Sequence, residues 1–211
     1  FMSRGIGVMS ELRKQKKSRK ADFALKNISE VDDLISIIVE KAHGDYDPGT
    51  SKFFGAPTCP DEWLENGFLG DDDFFFCQLN ISEFKKYDSS GLLPEKGFIF
   101  VFLSKQGESF IPNVRYCEEN PQTLIDDFNA GFEDFGDIES EYSIDFNETP
   151  DENNASALLI DEGDTVVLLK YDPLDDNMPE FLQGTEKTAF LRLKKSDLLN
   201  LDFSNAEFCI E

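Results

Sequence analysis

Histidine is almost missing from this 211-residue chain, with His43 its one copy. A single imidazole at the end of a helix-like stripe reads as a helix C-terminal cation rather than a catalytic base. There is no G-x-S-x-G elbow, and His43 lies outside the aromatic central block, so nucleophilic catalysis has no motif. Neither G-x-G-x-x-G nor the P-loop pattern occurs, which leaves nucleotide binding unsupported. Cys59, Cys77, Cys117 and Cys209 are scattered without a C-x-x-C pair, the wrong spacing for a zinc site or a redox motif. Cys77 and Cys209 fall in apolar strand-like runs and read as buried thiols. The expectation is a reducing, cytoplasmic setting with no cofactor and no metal. No apolar run approaches the ~20 residues of a membrane-spanning helix. No apolar signal core follows the basic N-terminus, so neither a membrane nor a secreted protein is expected.

Positive charge is scarce as well. Twenty Lys and Arg face 43 Asp and Glu, giving a net charge of −23 and a pI near 4.2. That balance disfavours nucleic acid and anionic membrane as partners and favours cationic ones. The few cations are also unevenly placed. Residues 1–28 hold eight of them (Arg4, Arg13, Lys14, Lys16, Lys17, Arg19, Lys20, Lys26) against Glu11 and Asp22, leaving twelve basic and forty-one acidic side chains in residues 29–211. The head is read as a basic N-terminal extension, either an arm for nucleic acid or anionic lipid at Lys14 to Lys20 or a solvated tail resting on an acidic surface within a screening length of roughly 10 Å.

What is abundant is phenylalanine, with 21 copies. Lacking a polar handle, these rings belong in a core. Phe74 to Asn80 and Phe98 to Leu103 are aromatic-rich runs of strand length. Ile81-Ser82-Glu83-Phe84 between them reads as a helical turn, and Leu93 to Gly97 as a loop. Upstream, Val31, Leu34, Ile35 and Ile38 fall at amphipathic-helix spacing. With Ser29 as N-cap and Gly44 as C-cap they predict a helix over about 30–42. A second helix is expected after Asn120-Pro121, and a long loop with short strands over Phe132 to Asn154. Strands are expected at Val114 to Cys117, Ala157 to Ile160, Thr165 to Tyr171, Thr188 to Leu193 and Glu207 to Ile210. Glu162-Gly163-Asp164 makes a hairpin turn.

Phe76 to Phe84 aligns without gaps on Phe190 to Leu198, each reading as strand, link, capping Ser (Ser82, Ser196), acid and apolar anchor. Either the chain contains two related sheet units from an internal duplication, or strand-then-cap is common grammar.

Several separated pieces resemble the bacterial YwqG-like family, a domain family of unknown function. They are Ser51-Lys52-Phe53-Phe54-Gly55-Ala56-Pro57 with Pro60, Phe76-Cys77-Gln78-Leu79-Asn80 with Ser82-Glu83, Leu93 to Phe102, and Phe190-Leu191-Arg192-Leu193 through to Asp202-Phe203-Ser204. They span about residues 50–211. Where the family carries a Trp-Gly-Asp-type turn, this chain reads Phe181-Leu182-Gln183-Gly184-Thr185-Glu186. The resemblance implies a mixed α+β fold with antiparallel sheets and supplies no catalytic residue.

The fold class expected is therefore α+β, antiparallel β-sheets with a few short helices, as one domain over 29–211. For function, the sharpest feature is Tyr116 to Leu169, with sixteen acids and no Lys or Arg. Asp126, Asp127, Glu133, Asp134, Asp137, Glu139, Glu141 and Asp145 are its candidate partner-binding residues. Such a surface could mask a cationic protein partner, as an immunity-type inhibitor does, steering association more than raising final affinity. The alternative is an enzyme or small-ligand-binding protein with a pocket between the sheet units, lined by Gln78 and Asn80. The same two amides could instead satisfy backbone groups. Asp172, Asp175 and Asp176, or Asp161 to Asp164, fail the spacing of a calcium loop.

Overall fold

The structure is a computed structural model that describes residues 35–41, 49–60, 62–70, 73–119, 141–147, 156–172 and 188–211. Ten strands appear among them: β1 (Ile35–Lys41), β2 (Lys52–Phe53), β3 (Asp73–Asn80), β4 (Phe98–Gln106), β5 (Ser109–Cys117), β6 (Tyr142–Asn147), β7 (Ala157–Glu162), β8 (Thr165–Tyr171), β9 (Ala189–Lys194) and β10 (Glu207–Ile210). Three short helices accompany them, α1 (Glu62–Glu65), α2 (Ile81–Phe84) and α3 (Lys195–Leu199), with a 3-10 turn at Lys85–Tyr87.

All ten strands belong to one antiparallel sheet, in the order β10-β9-β8-β7-β1-β6-β2-β3-β4-β5. The sheet curls until its two ends approach, with Phe110 of β5 edge-on to Phe208 of β10 at a centroid distance of 6.0 Å. The result is a nearly closed barrel. This overturns the expected α+β class and its two sheet units. Strand–helix–strand grammar does recur, at β3-α2-β4 and β9-α3-β10, but both pairs lie in the same continuous sheet. No pocket between two sheet units has units to lie between. Neither serine caps: α2 starts at Asn80, whose side chain accepts the Ser82 N–H, and α3 starts at Lys194 without a side-chain cap.

The helix expected over 30–42 is replaced, where it is described, by β1. Ile35, Ile38 and Val39 are β-branched and suit a strand. Ile35 and Ile37 alternate into the core, while pairing on both sides, with β6 and β7, satisfies the backbone. Two ladders outweigh a weak helical stripe. β5 is longer than expected and carries Pro112, tolerated because β5 ends the sheet order. The expected helix after Asn120 lies outside the described residues, as do His43 and the basic extension of residues 1–28.

The barrel interior is one apolar cluster to which all ten strands contribute. β4 is buried on both faces: Ile99, Val101 and Leu103 point inward, while Phe98, Phe100 and Phe102 point outward. The outward set packs with Phe75, Cys59, Trp63 and Leu69. The connection between β2 and β3, carrying α1, thus lies over the outside of the barrel as a second layer.

Candidate functional site

β2 is two residues long, and its two side chains point opposite ways. Phe53 enters the core, while Lys52 takes the outer face beside its ladder partner Gln78. Lys52 is 1% exposed. Its Nζ donates to Glu141 Oε1 at 3.1 Å, and the Ala56 N–H donates to the same oxygen at 3.1 Å. Burial raises the Glu141 carboxyl above its ordinary value, against the pull of the Ala56 N–H.

Glu141 fits there because Gly55 has no side chain. A Cβ on Gly55 would lie 1.9 Å from Glu141 Cγ, and its φ of +73° is one that glycine adopts without penalty. The preceding Phe54 is also left-handed, at φ 57°, an unfavourable state for a bulky residue. Its ring compensates by packing against Phe76 and Tyr171, with centroids 5.6 and 5.8 Å away.

Gln78 is fully buried and braces the same connection. Its Oε1 accepts the Thr58 N–H at 3.1 Å and the Thr58 hydroxyl at 3.0 Å, while Nε2 donates to the Thr50 carbonyl at 2.7 Å. Asn80 Nδ2 donates to the Gly49 carbonyl at 3.0 Å. The Ser51 N–H donates to Glu83 Oε2 at 3.0 Å, and Ser51 Oγ accepts the Asn80 N–H at 2.8 Å. The two amides put forward as pocket lining are thus bonded to backbone and to Thr58. Ser51, Lys52 and Glu83 enter the sequence reading only as residues of quoted motifs, without a role, and Thr58 does not enter it. Lys52 in an otherwise apolar Ser-Lys-Phe-Phe run was a signal that an acid must meet it. The belt fastens a connection onto a barrel, and its ammonium lies inside an ion pair rather than facing solvent.

Among the described residues no three His, Cys, Asp or Glu side chains converge as a metal site. Asp161 is engaged within the β7–β8 hairpin: it accepts the Gly163 N–H at 2.7 Å and the Lys195 ammonium at 2.5 Å. Those bonds, that from Lys195 foremost, hold its carboxyl below the usual range. No helix among the described residues is long and apolar enough to cross a membrane.

The remaining cations are largely tied down. Lys85 binds Asp88 at 3.0 Å, Lys96 binds Glu118 at 3.2 Å, and Arg192 meets Glu162 at 3.3 Å and Glu211 at 3.0 Å. Lys86, Lys96, Lys105 and Lys194 are exposed cations. Opposite them stand exposed Glu62, Glu65, Glu95, Glu108, Glu118, Glu119, Asp145, Asp161, Glu162, Asp164, Asp202, Glu207 and Glu211. Of the acids expected to bind a partner, Asp145 is exposed and Glu141 is half-buried against Lys52. Asp126, Asp127, Glu133, Asp134, Asp137 and Glu139 lie outside the described residues.

Compared with known proteins, the chain matches no family model and no curated protein. The resemblance noted above rests on the motifs quoted for it.

Proposed function

We propose that this chain is a non-enzymatic protein-interaction module of the bacterial cytoplasm, related to the YwqG-like domains. Its anionic exterior masks a cationic protein in the manner of an immunity-type inhibitor. One observation carries the reading. Among the described residues the basic side chains are mostly buried or paired, while exposed carboxylates outnumber exposed Lys and Arg. Arranged this way, a net charge of −23 becomes an outward field instead of cancelling at the surface. The acid-rich stretch containing Asp126, Asp127, Glu133, Asp134, Asp137 and Glu139 joins β5 to β6 in sequence and adds to that field. The same field repels nucleic acid and anionic membrane.

Affinity capture from lysate, run at low and at high salt with each captured protein identified, tests the reading. The expected result is a basic protein retained at low salt and released as screening shortens the field's reach. Recovery only of partners indifferent to salt, or of acidic ones, would sink it.

A further inference from the structure

We infer that the cationic partner docks on the outer face of β5, with Phe68 and Ile111 as its apolar anchor inside an acidic rim. This rests on the interaction reading above and specifies where that interaction occurs. Large apolar side chains exposed among the described residues are Phe68 (46%), Ile111 (45%) and Leu199 (58%). The first two lie on elements bonded to each other, the Phe68 turn and β5. Ile111, Asn113 and Arg115 are alternate residues of β5 and project from one face. Asn113 Nδ2 and Arg115 Nη2 both donate to the Phe68 carbonyl, at 2.9 and 3.2 Å.

The Phe68 turn is held rigid from several sides. The Arg115 guanidinium lies over the Phe68 ring, 5.1 Å from its centroid, and Arg115 Nε donates to Asn113 at 2.9 Å. Asn113 also donates to Asp73 at 2.9 Å. The Phe68 and Leu69 N–H groups both donate to the Trp63 carbonyl, at 2.9 and 3.3 Å, and Trp63 is packed on Phe100. An aromatic held in its binding conformation loses little entropy on association, and aromatic and arginine side chains dominate binding hot spots.

The rim fixes the partner's sign. Glu62 and Glu65 are exposed on α1 and Glu119 beyond the end of β5, where its neighbour Glu118 is paired with Lys96. Burial raises the Cys117 thiol above its ordinary value, and the charges of Glu119 and Glu62 add to that against the pull of a backbone hydrogen bond at Glu119. Apolar centre and charged rim match the anatomy of a protein interface. The occupant is a basic protein that offers an apolar side chain to Phe68 and cations to the glutamates.

The test uses the full chain and, as probe, the basic protein recovered in the low-salt capture, purified and titrated. Phe68→Ser and Ile111→Ser are each expected to weaken binding at least about tenfold. Leu199→Ser, at a still more exposed apolar residue on α3, should change it less than about twofold. All three should keep the wild-type melting temperature, and if one does not, the other anchor variant decides. Glu62→Gln with Glu65→Gln should slow association and flatten its salt dependence. Unchanged affinity in both anchor variants overturns this docking face and leaves the interaction reading standing. Failure of the wild-type chain to retain any basic protein overturns both. Sedimentation showing self-association that Phe68→Ser abolishes would assign the face to a second copy of the chain and overturn the cationic partner.

Discussion

Lys52 and Glu141 form an ion pair where an aliphatic pair would bury more cheaply, so each depends on the other. Glu141→Gln keeps an acceptor for the Ala56 N–H but takes the negative charge from an ammonium 1% exposed. It should destabilise the fold by about 1–2 kcal/mol in urea unfolding, less than for a fully buried pair because Glu141 is only half-buried. Adding Lys52→Met should recover most of that loss. A double variant as weak as the sum of its singles would show that the two side chains are not coupled. Gly55 offers a second measurement. Gly55→Ala puts a methyl against Glu141, whereas Gly163→Ala, at φ +80°, meets nothing within 4 Å. Both variants carry the left-handed penalty of roughly 1–2 kcal/mol, and only Gly55→Ala should exceed it clearly in thermal unfolding.

Asp88 and Glu141 shift in opposite directions, which gives stability two pH-dependent edges. Burial would raise the Asp88 carboxyl, but bonds from Ser90 and Lys85 outweigh it and leave it below the ordinary value. A depressed acid contributes stability above its unfolded value, and that stability is lost as pH falls through the lower folded value. Asp88→Asn should therefore flatten the loss of urea midpoint below about pH 4. Glu141 has the reverse sign. Its raised carboxyl favours folding at low pH, and that contribution fades as pH climbs past its ordinary value.

At the scale of elements, the β2–β3 connection is fastened twice, by the polar belt and by the outer aromatic layer. Trp63 seals the aromatic side, edge-on to Phe100 at 5.3 Å. Trp63→Ala should lower stability by about 3–5 kcal/mol. Hydrogen exchange at the Thr58 amide, held by Gln78 Oε1, should accelerate with it. Exchange unchanged at Thr58 would mean the two fastenings act separately.

Elements whose partners lie close in sequence could be read from the chain. β8 and β10 appear at their expected bounds, and β7 and β8 meet through the Gly163-Asp164 turn. β1 could not be read, because a seven-residue strand with partners more than a hundred residues away carries no local trace of its ladders. β6 left a clue in the alternation of Tyr142, Ile144 and Phe146, diluted by the acids around it. For the site, sequence could nominate Gln78 and Asn80. It could not show their acceptors at Thr50 and Gly49, which only folding brings within reach.

For the whole molecule, β1 is the keystone of the sheet order, with β6 on one side and β7 on the other. Neither flank can detach without breaking a ladder that β1 holds. The chain should therefore unfold in one step. The fluorescence of Trp63, the single tryptophan, should follow the same denaturant curve as far-UV circular dichroism. Two separated transitions would contradict a single continuous sheet.

The same strand order also sets a timetable for biosynthesis. Lys52 of β2 needs Ser143, and Ser36 of β1 needs both Asn147 and Ala157. Made at roughly 5–20 residues per second, β1 must wait for some hundred further residues before either neighbour emerges, whereas β2 meets β3 soon after its own synthesis. Until then Ile35 and Ile37 have no ladder to shelter in.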